Sequence, residues 1–69
     1  MGEEREKLIK RIEHWAEHND DHTMRYEDSA KGLKTIGLDE AAQDLKKAAD
    51  AGKQVSIHLR SALEKLIDN

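Results

Sequence analysis

Residues 38–66 read LDEAAQDLKKAADAGKQVSIHLRSALEKL, and the spacing of their apolar members decides the fold. Counting in sevens from Leu38 gives Leu38, Leu45, Gly52, Leu59 and Leu66. A second series, Ala41, Ala48, Val55 and Ala62, follows three residues behind it. Alternating steps of three and four place these side chains along one side of an α-helix. Ala42, Ala49, Ser56 and Leu63 widen the stripe to three positions. A stripe that wide suits a helix with more than one neighbour. The spacing therefore predicts a helix over about 38–68. Gly52 is its weak member, because a glycine inside a helix costs about 1 kcal/mol relative to alanine. A break at Asp50-Ala51-Gly52-Lys53 would give a three-helix bundle. The heptad phase runs unchanged across Gly52, which favours one continuous helix.

The first half repeats the pattern in another phase. Leu8, Trp15, His22, Ser29 and Ile36 form one seam, and Ile12, Asn19, Tyr26 and Leu33 the other. Ile9, Ala16, Thr23 and Ala30 flank them. The ends of this helix, expected over about 3–36, are apolar and its middle is polar. Gly32 and Gly37 bracket the boundary, and glycine commonly stands just past a helix C-terminus. Because the apolar phase continues through Leu33 and Ile36, the turn is expected at Gly37, with Gly32 and a short loop as the alternative. Asp39 and Glu40 then suit the next helix N-terminus, and Lys31 and Lys34 the preceding C-terminus. The expected architecture is all-α: a single domain over 1–69, folded as an antiparallel helical hairpin. Two helices cannot bury two wide stripes on each other alone, so a homodimer forming a four-helix bundle is also expected.

Composition narrows the function. A chain of 69 residues has a thin core and usually needs additional support. It has no cysteine, which excludes disulfides and thiolate chemistry. Proline is absent, and Trp15 and Tyr26 are the only aromatic residues. Charged residues make up 39% of the chain with both signs interspersed, as on solvated helix faces. The net charge of −3 and the lack of any long basic run argue against nucleic-acid binding. No segment approaches the ~20 apolar residues of a membrane span. Gly2-Glu3-Glu4-Arg5-Glu6-Lys7 is too charged for a signal peptide and lacks the Ser or Thr of a myristoylation motif. A cytoplasmic location is the expectation that follows.

The chemically distinctive stretch is His14-Trp15-Ala16-Glu17-His18-Asn19-Asp20-Asp21-His22. Its three histidines fall at i, i+4 and i+8, so they stack along one helix face. Two histidines at that spacing suit a shared transition metal. His14 and His22 are about 12 Å apart along the axis, too far to share one ion. Glu17 and Asp21 offer nearby oxygen ligands. The hairpin brings His58 level with this region, so His18, His22 and His58 are expected to converge, with Gly52 leaving room beside His22. Three imidazoles and a water suit Zn²⁺, Ni²⁺, Co²⁺ or Cu²⁺. The structural alternative is a polar layer in which Asn19 and His22 fix register and oligomeric state. In that reading His14 is solvated and His58 is an ordinary flank residue.

The pattern His14-Trp15-x-Glu17-His18-Asn19-x-x-His22, followed by an Ala/Leu-rich second helix, resembles a group of small uncharacterised helical prokaryotic proteins, many from anaerobes. The resemblance implies a helical hairpin with a histidine-rich first helix and carries no established activity.

Enzymatic motifs are missing. Trp15, Asn19 and Val55 stand three residues before His18, His22 and His58, so no Glu-x-x-His pair of a di-iron bundle exists. There is no His-Glu-x-x-His, no glycine-rich phosphate loop and no strained nucleophile turn. The expected function is a homodimeric protein-interaction or scaffolding module, able to engage a further protein partner. The alternative is a small transition-metal carrier, buffer or sensor. Protonation of a buried His22 would add sensitivity to pH.

Overall fold

A computed structural model describes residues 2–68. They form two helices, α1 (Gly2–Thr35) and α2 (Asp39–Asp68), packed antiparallel in a rod of 54 × 14 × 11 Å. Met1 and Asn69, the end residues of the expected single domain, lie outside the described range. The helix ends fall within a residue of the expected ones. Gly52 sits inside α2 with no interruption, so the hairpin holds and the three-helix alternative does not.

The turn forms where the apolar phase places it. Gly37 has φ 84°, a left-handed conformation that only glycine adopts without strain. Its N–H donates to Lys34 O at 3.0 Å, and the Leu38 N–H donates to Leu33 O at 2.9 Å. These two bonds make a Schellman cap, which satisfies carbonyls left open at the end of α1. The Ala42 N–H then donates to Leu38 O at 3.0 Å and opens α2. Asp39 and Glu40 occupy its first turn, beside the positive end of the helix dipole.

The seam between the helices is built from small side chains. Ala16 and Thr23 of α1 are buried against Ala42, Ala49, Gly52 and Ser56 of α2. Leucines and isoleucines such as Ile9, Ile12, Leu45, Leu59 and Leu63 border the seam half-buried. Gly52 marks the closest approach. A Cβ built there would overlap Thr23 Oγ1 and stand 3.4 Å from Thr23 Cβ. The space expected beside His22 is therefore filled by Thr23, which follows it in sequence and points inward. His22 itself is exposed, so of the expected polar layer only Asn19 faces the neighbouring helix.

The two flanks of the seam differ. One carries ion pairs that tie the helices: Arg60 Nη2 to Asp20 Oδ2 at 2.5 Å, and Lys53 Nζ to Glu27 Oε2 at 3.2 Å. The other is apolar and faces solvent, with Leu8, Trp15, Tyr26 and Val55 exposed along it. The helical period requires this sorting. Asp20 and Glu27 follow the buried Ala16 and Thr23 by four residues, whereas Trp15 precedes Ala16 by one and so lies on the opposite side. No described helix is long and apolar enough to cross a membrane.

Candidate functional site

Midway along the seam, Asn19 anchors a polar chain that crosses between the helices. Its Nδ2 donates to the Gly52 carbonyl at 2.6 Å and to Ser56 Oγ at 2.8 Å. Ser56 Oγ in turn donates to Asp20 Oδ1 at 2.6 Å, and Arg60 Nη1 and Nη2 close on both oxygens of Asp20 at 3.2 and 2.5 Å. Each hydroxyl and amide has one consistent donating direction, from Asn19 through Ser56 to the Asp20 carboxylate. The Arg60 guanidinium and the Ser56 hydroxyl hold the Asp20 carboxyl below its ordinary value, and Asp20 raises Arg60 further. Thr23 Oγ1 donates back to Asn19 O at 2.8 Å, which keeps its hydroxyl satisfied inside the seam. The node fixes the register of the two helices at their midpoint.

The heptad singled out Asn19 and placed Ser56 in the α2 stripe, but it did not mark Asp20 or Arg60. The signal was available in the hairpin geometry. Once the turn is at Gly37, Ser56 and Arg60 come level with the Asn19–Asp20 turn, where a donor pair opposite a carboxylate can be read.

The histidines form a ladder on the outer side of α1. The rings of His14 and His18 have centroids 4.2 Å apart, tilted by 47°. Those of His18 and His22 are 6.3 Å apart, and His22 stacks on Tyr26 at 6.4 Å with 20° between planes. All three imidazoles are exposed. No hydrogen bond or ion pair engages them among the described residues. Glu17 and Asp21 are exposed on the same helix.

The expected convergence of His18, His22 and His58 does not occur. Ala16 and Ser56 face the opposite helix, and His18 and His58 each follow two residues later, about 200° further round their helices. They therefore project from outer sides of different helices. Among the described residues, no three histidine, aspartate or glutamate side chains lie close enough to hold a metal ion. What one chain offers is pairs: His14 with His18, and His18 with His22.

The ladder also drifts. Each step of four residues turns about 40° about the axis. It leads from the back of α1 at His14 to the apolar flank at His22, which follows Trp15 by seven residues in the same seam.

A family model matches residues 8–66, which takes in both helices, the turn, the node and the ladder. The chain belongs to the family described as a domain of unknown function (DUF8180). The DUF8180 match begins at Leu8 and ends at Leu66, two members of the apolar seams, and covers most of both helices. No curated protein and no solved structure matches the chain.

Proposed function

We propose that the chain is a homodimeric protein-interaction module in which two hairpins pack through their apolar flanks into a four-helix bundle. The observation that carries this reading is surface left unburied. The hairpin exposes 5570 Å², against about 4,400 Å² for a compact chain of its 7.9 kDa. The excess, about 1,200 Å², exceeds the ~800 Å² that each partner contributes to a standard interface. Its apolar portion includes a stripe of Leu8, Trp15, Tyr26 and Val55 on one flank, while Met24 and Ile57 are exposed on the charged side. Within the hairpin, the buried apolar residues are Ala16, Ala42 and Ala49, a thin core for a free-standing chain.

A second copy is the occupant that fits. The flank is as long as the rod itself, and an isologous pairing matches it end to end. The opposite flank, which carries the Asp20–Arg60 and Glu27–Lys53 pairs, remains available for solvent or for a further protein. An interaction role is also supported by an open groove beside the turn, lined by residues such as Glu27, Lys31, Lys34 and Asp39.

The test is sedimentation with two substitutions. Val55→Glu places a charge on the apolar flank and is expected to shift the protein to monomer. Ile57→Glu, at a more exposed position on the charged side of α2, is expected to leave the dimer unchanged. Trp15 supplies a second readout: its emission should move to the blue as concentration rises and the flank is covered. A wild-type chain that stays monomeric and fully helical at micromolar concentration contradicts the reading.

A further inference from the structure

We propose that His18 and His22 together chelate one divalent transition-metal ion, and that the same pair from a second copy completes its coordination, so that the ion bridges the dimer. The inference rests on the dimer reading above and adds a ligand to it.

The two imidazoles are four residues apart on one face, with ring centroids 6.3 Å apart. A tetrahedral ion with metal–nitrogen bonds of about 2.0–2.1 Å draws the two centroids about 1 Å closer, a change that rotation of the exposed side chains supplies. Their nitrogens carry no hydrogen bond or ion pair among the described residues, so binding displaces no internal contact. Imidazole is a suitable ligand for Zn²⁺, Co²⁺, Ni²⁺ and Cu²⁺. Two imidazoles leave a tetrahedral ion half-coordinated, and the described residues of one chain provide no third histidine, aspartate or glutamate beside them. A second chain provides two more.

Placement selects this pair over His14–His18. His18 and His22 stand at the middle of α1, which runs from Gly2 to Thr35. In a two-fold dimer whose axis crosses the rod at its midpoint, central residues of α1 meet their own counterparts and end residues do not. The ladder reaches the apolar flank at His22, whereas His14 lies further round, towards the back of α1. Two pairs brought together across the axis supply four nitrogens, a closed tetrahedral set of the kind that structural zinc sites use. His22 then has a reason to stand at the centre of the seam that Leu8, Trp15 and Ser29 share with it.

The experiment uses untagged full-length protein in three parts. Sedimentation equilibrium compares the dimer constant in chelator with that in excess Zn²⁺, calorimetry gives the stoichiometry, and Co²⁺ absorption reports the geometry. The expected results are a dimer tightened at least tenfold by Zn²⁺, one ion per two chains, and the intense visible bands of tetrahedral Co²⁺. The His18→Ala, His22→Ala double variant should lose all three, while His58→Ala and His14→Ala should keep them. A dimer that forms in chelator but neither binds Zn²⁺ nor tightens with it overturns the metal bridge and leaves the dimer standing. One ion per chain without tightening overturns the bridging geometry. Loss with His14→Ala and retention with His22→Ala overturns the assigned pair. A monomer with and without metal overturns both the bridge and the dimer.

Discussion

Asn19 shows how one polar residue specifies a seam that is otherwise made of alanine, glycine, serine and threonine. Small side chains pack closely but interchange easily along a helix, so apolar contact alone allows the two helices to slide by a heptad. The amide of Asn19 reaches only Gly52 O and Ser56 Oγ in the observed register. Asn19→Ala should therefore cost about 1–2 kcal/mol of stability, since it removes two part-buried hydrogen bonds. Urea unfolding at fixed protein concentration measures it, because the proposed dimer would make stability depend on concentration. Asp20 carries the pH dependence of the node. Its folded value is depressed below the ordinary 3.8, chiefly by the hydrogen bonds from Arg60 and then from Ser56. The native state thus binds this proton less readily than the unfolded chain. The contribution is fully present above the unfolded value and is lost as the pH falls through the lower folded one. The gap in stability between wild type and Asp20→Asn, measured in chelator, should be constant from neutral pH to just above 4 and should close below that. A gap that stays constant on acidification would mean that the pairing with Arg60 contributes nothing. Both side chains are about half exposed, so the effect is expected to be modest.

At the scale of the elements, the two glycines that matter act in opposite ways. Gly37 provides a backbone conformation, and Gly52 provides room. Gly37→Ala should destabilise by about 1 kcal/mol through strain at φ 84° alone, because nothing crowds its Cβ position. Gly52→Ala gains helix propensity, about 1 kcal/mol, yet drives a methyl into Thr23 Oγ1. Overpacking of that kind costs about 1–3 kcal/mol, so the single substitution should come out destabilising. In a Thr23→Ala background the obstructing hydroxyl is gone, and Gly52→Ala should become neutral or stabilising. A double-mutant cycle by thermal unfolding would show that coupling, and strict additivity would place the close contact elsewhere. These elements also mark how far the sequence could be read. Helix ends and the Gly37 turn follow from local rules: periodicity, a glycine cap, and acids at a helix start. The unbroken run through Gly52 followed from the preserved heptad. The role of Gly52 did not, because it depends on which α1 residue lies opposite, and Thr23 displaced His22 from that place by about 100° of helix rotation. The convergence of His18 with His58 failed for the same reason. A heptad assigns seams but leaves the rotation of each helix free by one position. Here Ala16 and Ala49, more deeply buried than their leucine neighbours, set that rotation.

For the whole molecule, the contrast between its two long flanks is the organising feature. One carries the Asp20–Arg60 and Glu27–Lys53 pairs, with Met24 and Ile57 exposed beside them. The other presents leucine, valine, tryptophan and tyrosine to solvent, with the histidine ladder entering at its centre. The surface excess quantifies the same imbalance, and covering the apolar flank with a second hairpin removes it. The central claim is therefore that this hairpin is half of a bundle, and the most direct measurement is its mass in solution. Sedimentation equilibrium of untagged protein in chelator, at micromolar concentration and neutral pH, should return twice the mass of one chain for wild type and a single-chain mass for Val55→Glu. A single-chain mass for wild type, with the helical signal intact, would contradict the account.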